Sequence, residues 1–363
     1  MIKAVIIGFA HMHVNEVALY IGGQPETELV GIADVPPKSP EDTEKRYTRA
    51  WNLKNVAEIS KAPVYDDYKK MLDELRPDWA YILCENIMKP EVAAGCAKRH
   101  VNVVVEKPMA ADLSGAEEIA SLPGRFGIEV AVNWPVAWRP YLHKFKAAAD
   151  AMVAGKPLRL RYINGHTGPL GKGAKHRGVS AAAEEMTDEE RSRVWWYKSD
   201  RGGGAFLDIL CYGCYFTRWL LGMADGVSAF GANLGTPYAD CEDNAAAIFR
   251  FDDKRMSVAE GSWTIPRVIV PAGPQLLCEN GAIVCEGGAD SGQHTECYDF
   301  SGERLDLPET EVPDSMKNMP WQIASHMKGE PLFEPLTLSF NLDVMRMLDA
   351  AIRSNSTHRE ERP

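Results

Sequence analysis

The chain has 363 residues, 45% apolar and 25% charged, and a formal net charge of −11. That length exceeds one ordinary core and sets two domains as the expectation, while the acidic balance and the lack of any Lys/Arg block argue against a nucleic-acid partner, which needs a basic face. No apolar run reaches the ~18 residues of a membrane span, and Met1 to Gly8 lacks the flanks of a secretory signal, so a cytoplasmic protein is expected.

The first third alternates strand and helix. Apolar runs at Ile2 to Ile7, Leu29 to Ala33, Val64-Tyr65, Trp79 to Leu83, Val101 to Val105 and Ile128 to Val132 read as strands. Between them His13 to Gly22, Glu41 to Leu53, Asp66 to Leu75, Glu91 to Arg99 and Ser114 to Ser121 read as helices. Repeats of this length require right-handed crossovers and a parallel, doubly wound sheet. A boundary falls near Trp134, giving domains at 1–134 and 135–363. Helix Tyr141 to Met152 follows, then strands with a period of two at Leu158 to Asn164, Val227 to Leu234, Ala245 to Phe251, Met256 to Thr264, Gln275 to Cys278 and Ala282 to Cys285. That period marks a mostly antiparallel sheet in a C-terminal α/β domain. Gly165 to Glu190 reads as a long loop, Ser339 to Arg353 as a closing helix, and Ser354 to Pro363 as frayed.

The first strand–helix turn is Gly8-Phe9-Ala10-His11-Met12-His13. A dinucleotide fingerprint carries glycine at its first, third and sixth positions. Only Gly8 is kept, although backbone N–H groups at a helix start can still hold phosphate. His11 and His13 alone are thin support for a metal, which wants three or four ligands, and none is expected. Asp34 closes the second strand, where an acid bonds the adenosine ribose and repels a 2′-phosphate, favouring NAD over NADP. Cys211 and Cys214, spaced as CxxC, read as small buried residues.

Two stretches carry the chemistry. Lys107, in Glu106-Lys107-Pro108, stands at the carboxyl end of a parallel strand, where open α/β sheets bind ligands. Gly202-Gly203-Gly204 opens an apolar segment in which Asp208 and Tyr212 are spaced i, i+4, hence on one face if helical. A lysine ammonium can stabilise alkoxide character, and its charge would lower the phenol pKa from ~10.

The pair of motifs, with Asn86, Lys98 to Val101, Gly155 to Leu158, Cys241 to Ala245 and Ala350 to Ser354, resembles the glucose–fructose oxidoreductase / inositol dehydrogenase (Gfo/Idh/MocA) family over most of the chain. Tyr212, where many members carry histidine, is similar to the tyrosine-variant branch. The resemblance implies an N-terminal Rossmann domain that binds NAD through Gly8, Phe9, Ala10, His11, Met12, Asp34, Cys84, Glu85, Asn86, Glu106 and Lys107. It implies a C-terminal domain for substrate and oligomer contacts, and a homodimer or homotetramer. Lys107, Asp208 and Tyr212 are the implied catalytic set, with Trp134 and His166 beside the substrate. Arg139, His176, Trp195 and Trp196 are further candidates for the pocket wall, with no role carried onto Arg139. The implied reaction is reversible hydride transfer between nicotinamide and a hydroxyl-bearing carbon of a sugar, cyclitol or sugar acid. A catalytically silent nucleotide- or sugar-sensing protein of the same fold and NAD-dependent glycoside cleavage are the alternatives.

Overall fold

The computed structural model describes residues 1–37, 41, 43–288 and 292–363. The first sheet is built from β1 (Ile2–Ile7), β2 (Thr27–Ala33), β3 (Val64–Tyr65), β4 (Trp79–Ile82), β5 (Asn102–Glu106) and β6 (Val130–Asn133). Helices α1 (Val14–Gly22), α2 (Arg49–Ser60), α3 (Tyr68–Leu75), α4 (Lys89–Ala97) and α5 (Leu113–Phe126) connect them. The strand order is 3-2-1-4-5-6 and every pairing is parallel. β4 and β6 are buried along their whole length, as helices on both sheet faces require. The order reverses between β1 and β4, which opens a crevice at the carboxyl ends of β1, β4 and β5.

Helix α6 (Pro140–Asp150) leads to β7 (Pro157–Gly165). A long irregular segment and the short α7 (Asp188–Ser192) follow, then a π-helical turn over Phe206–Leu210 running into α8 (Cys211–Leu221). The second sheet adds β8 (Gly226–Ala232), β9 (Asn244–Arg250), β10 (Met256–Ser262), β11 (Gln275–Cys278), β12 (Gly281–Glu286) and β13 (His294–Asp299). Its order is 13-12-11-7-10-9-8, antiparallel except where β7 meets β10. β9 buries alternate residues, Ala245, Ala247 and Phe249, on the face that meets the π-helical turn, and the almost wholly buried α8 packs on β7 and β10. Helices α9 (Met319–His326) and α10 (Leu338–Thr357) close the chain, and α10 packs on both α8 and α5. All eight cysteines, including Cys211 and Cys214, are buried and unpaired. Among the described residues no helix is long and apolar enough to cross a membrane.

Three expectations need correction. The helix expected from Glu41 starts at Arg49; residue 42 of that stretch lies outside the described residues. Tyr47 has φ 74°, a left-handed conformation no helix continues through, and its hydroxyl donates to the Ala181 carbonyl at 2.6 Å. β13 was not anticipated, because His294-Thr295-Glu296-Cys297-Tyr298-Asp299 carries too few apolar residues to show alternation. The C-terminal residues are not frayed: Val227 and Glu361 exchange backbone hydrogen bonds of 2.8 and 2.9 Å, and Ser354 Oγ donates to the Arg359 carbonyl at 2.6 Å.

Candidate active site

Lys107 follows β5 directly, at the crevice. Its Nζ donates to Asp208 Oδ1 at 3.0 Å and to the Asp208 carbonyl at 2.9 Å. It also lies 4.7 Å from the centroid of the Tyr212 ring, so the ammonium meets the phenol's face. Asp208 Oδ2 accepts the Trp263 indole N–H at 2.8 Å and lies 3.8 Å from His166 Nε2. The π-type turn carries Asp208 and the first turn of α8 carries Tyr212, and both face one cavity of about 360 Å³. Lys107, His11, His13 and His166 line it too. The turn that holds Lys107 is fixed from behind: buried Lys89 donates to the carbonyls of Glu106 at 2.6 Å and Pro108 at 2.8 Å.

The charges are set by this geometry. Burial opposes the Lys107 ammonium, but the Tyr212 oxygen, once ionised at high pH, and the Asp208 carboxylate outweigh it, and the pKa stands above the ordinary lysine value. Burial likewise opposes the Asp208 carboxylate, and Lys107, His166 and Trp263 outweigh it, so Asp208 stays ionised below the usual range. Tyr212 corrects the sequence reading. Burial pushes its phenol well above its ordinary value and the Lys107 charge does not reverse this. The phenol therefore remains protonated near neutrality and can donate a hydrogen bond. His166 is lowered by burial against the pull of Asp208, so it is neutral and able to accept a proton.

The turn after β1 behaves differently from a dinucleotide loop. Gly8 has φ +88°, and a Cβ there would stand 2.5 Å from the Cys84 backbone nitrogen, so glycine is obligatory for packing β1 against β4. Asp34 closes β2 as expected, but it accepts the Phe9 N–H at 3.0 Å and an Arg49 N–H at 3.0 Å. Arg49 in turn reaches Glu85 at 2.6 Å. The Trp195 indole donates to the Ala10 carbonyl at 2.8 Å. Trp196 packs edge-on against His11 at 4.7 Å between centroids. At Gly178 a Cβ would stand 2.7 Å from the Glu16 backbone nitrogen, so the segment after β7 lies directly on the start of α1. A dinucleotide places its pyrophosphate at that helix start. In this closed arrangement the ribose acid, Asp34, is paired with Arg49, and the segment after β7 covers the phosphate seat.

Apart from Gly8, Asp34 and Trp195, the sequence-derived residues fall into three groups. Lys107, Asp208, Tyr212, His166, His11, Met12, Arg139, His176 and Trp196 line the cavity. Glu85, Asn86 and Glu106 are each about 1% exposed and already engaged: Glu85 with Arg49, Asn86 donating to the Gly202 carbonyl at 2.7 Å, and Glu106 with His13 and Asn133. Phe9, Cys84 and Trp134 are 0% exposed and Ala10 2%. Trp134 corrects its assignment to the substrate wall. Its indole donates to Asn341 at 2.7 Å and its ring backs Tyr212 at 5.4 Å, so it supports the phenol from inside the core. Sequence reasoning missed Trp263, Lys89 and Arg49. Only Lys89 carried a signal, as a lysine ahead of a proline at a helix start near β4.

The fold and site can now be set beside known proteins. Residues 2–133 match the family described as oxidoreductase family, NAD-binding Rossmann fold, and residues 171–283 match the GFO/IDH/MocA C-terminal domain. No curated protein matches by sequence. Similar solved structures include an aldose–aldose oxidoreductase from Caulobacter crescentus complexed with glycerol (14% identity, 100% and 99% of the two chains, TM-score 0.77). The WlbA dehydrogenase from Bordetella pertussis, in complex with NADH and UDP-GlcNAcA, is 19% identical over 100% and 98% of the chains, with a TM-score of 0.75. An oxidoreductase from Agrobacterium radiobacter, in complex with NAD+, L-tartaric acid and magnesium, is 14% identical over 99% and 98%, with a TM-score of 0.73. The chain belongs to the Gfo/Idh/MocA family of oxidoreductases, with an NAD-binding Rossmann domain at its N-terminus.

Proposed function

We propose that the protein catalyses reversible oxidation at a hydroxyl-bearing carbon of a small polyhydroxylated molecule, a sugar, cyclitol or sugar acid, with NAD(H) as the redox partner. The observation that carries this reading is the buried Lys107–Asp208 pair, 3.0 Å apart, at the floor of the cavity beside Tyr212 and His166. Family relatives crystallised with a nucleotide sugar acid and with glycerol support the substrate class.

The directions of these charge shifts support the following roles. Lys107 and Tyr212 are protonated and donate to the substrate oxygen, which stabilises charge as it develops there. Asp208 holds the ammonium and keeps it charged. His166 is the proton acceptor in the oxidising direction, and Asp208 at 3.8 Å stabilises its imidazolium. A cavity of about 360 Å³ lies at the lower end of ligand-site volumes, enough for one such molecule.

The test is a fluorescence titration with NADH and NADPH, followed by a screen of sugars, cyclitols and sugar acids at the reduced-cofactor absorbance band. Dinucleotide binding with substrate-dependent absorbance supports the reading. A second reading, a binding protein without turnover, is favoured by the covered phosphate seat; small-molecule binding with no dinucleotide binding would select it. The outer sheet face exposes Phe230, Ile248, Leu158 and Leu277. We assign self-association to that face, and light scattering should return a dimer or tetramer that Ile248→Lys dissociates.

A further inference from the structure

We propose that His11, His13 and Glu106 bind one divalent transition-metal ion at the mouth of the Lys107 cavity. Nothing in the hydride-transfer reading requires a metal. The sequence offered only an HxH pair; the fold supplies the third ligand from β5, 93 positions on.

The geometry is that of an open three-ligand site. One nitrogen of each imidazole and one Glu106 oxygen lie within 4.8 Å of one another. His13 Nδ1 and Glu106 Oε1 are 3.0 Å apart, close to the spacing of two ligands each ~2.0–2.1 Å from a common ion. The other Glu106 oxygen accepts the Asn133 side-chain N–H at 2.8 Å, the kind of outer contact that fixes a ligating carboxylate. Two imidazoles with one carboxylate suit Zn²⁺, Fe²⁺, Co²⁺ or Mn²⁺ over Mg²⁺ or Ca²⁺, which favour oxygen alone.

An independent observation comes from His11. It is 1% exposed, and its Nε2 has no hydrogen-bond partner among the described residues. An orphaned buried polar atom is unfavourable, and a bound cation removes the deficit. Ligation through Nε2 moves the ring proton to Nδ1, so the 3.2 Å contact from the His13 N–H must be released. The neighbouring Lys107 does not repel the ion unchecked, because Asp208 pairs with it. Only three ligands come from the protein. The remaining positions point to the cavity that His11 and His13 line, where oxygen atoms of a polyhydroxylated molecule can enter the coordination sphere.

The test uses the full chain, stripped with chelator and titrated with Zn²⁺ and with Co²⁺, read as bound metal by mass spectrometry and as the Co²⁺ ligand-field spectrum. The expected result is about one ion per chain with a spectrum of nitrogen and oxygen ligation. His13→Ala and Glu106→Gln should each weaken binding by about 100-fold or more. The surface pair His326–Glu129 is the control, and His326→Ala should leave binding unchanged. If Glu106→Gln fails to fold, the half-buried His13 carries the test alone. Absence of a stoichiometric ion, or an ion retained at full affinity by His13→Ala, overturns the proposal. The readout is metal content and spectrum, so it stands apart from whether NADH binds or turnover occurs.

Discussion

At the level of single residues, the site rests on a buried ion pair whose members hold each other charged. Removing one member of such a pair leaves the other uncompensated, at about 3–5 kcal/mol. Lys107→Ala should therefore lower stability by that amount in denaturant titration, and lower turnover by about 100- to 1,000-fold as a lost donor to developing charge. The pH dependence follows from the two directions. Asp208 lies below its unfolded value of ~3.9, so its contribution is present above that value and lost as pH falls. Lys107 lies above its unfolded value of ~10.4, so its contribution is present below that value and lost as pH rises through the folded pKa. Tyr212 gives a separate test. The difference in ultraviolet absorbance between wild type and Tyr212→Phe should show no phenolate up to about pH 10; phenolate near neutrality would restore the tyrosine as a base. Lys107, Asp208 and Tyr212 were legible because two short motifs carry them. The protonation state of Tyr212 was not, since it depends on burial against Trp134, which is distant from it in the chain. Trp263 was equally hidden, a β10 neighbour whose only mark is its indole N–H.

Among the elements, the turn between β5 and α5 is anchored by a lysine from the start of α4. Lys89 is fully buried and bonds only backbone carbonyls, and burial pushes its pKa down to about 7. The unfolded value is ~10.4, so between the two the unfolded chain binds more protons and this group makes stability rise with pH. Lys89→Met should flatten the slope of stability between about pH 7 and 10, measured from urea midpoints. An unchanged slope would place the titration elsewhere. The central strands β4, β5 and β6 were readable because each is built on a continuous apolar run, as burial on both faces demands. α2 and β13 were not. The start of α2 is displaced by the contact of Tyr47 with Ala181, and β13 is specified by its pairing with β12, neither of which leaves a local pattern.

For the whole molecule, the question is how an NAD-binding domain presents a covered phosphate seat. The segment between β7 and α7 reaches back over α1 and α2 through a few polar contacts. Tyr47 donates to the Ala181 carbonyl at 2.6 Å and accepts the His176 N–H at 3.3 Å. Arg46 reaches the Ala182 carbonyl and its backbone N–H meets Glu184 at 2.7 Å, while Arg177 pairs with Glu16 at 3.3 Å. These bonds favour the closed arrangement, and a dinucleotide that binds only the open one has its affinity reduced by the fraction of open molecules. Each bond is worth about 0.5–1.5 kcal/mol net. Tyr47→Phe keeps the ring against Trp51 and His176 but deletes both hydroxyl bonds. It should raise NADH affinity by about 5- to 150-fold if the two bonds hold the segment shut. The effect would appear as a lower Kd in the fluorescence titration and as faster proteolysis within residues 166–187, since the open segment loses its packing. Faster proteolysis with no change in NADH affinity would mean that the segment moves but does not guard the seat. The obstacle would then be the turn itself, where Trp195 sits on Ala10 and Asp34 is committed to Arg49.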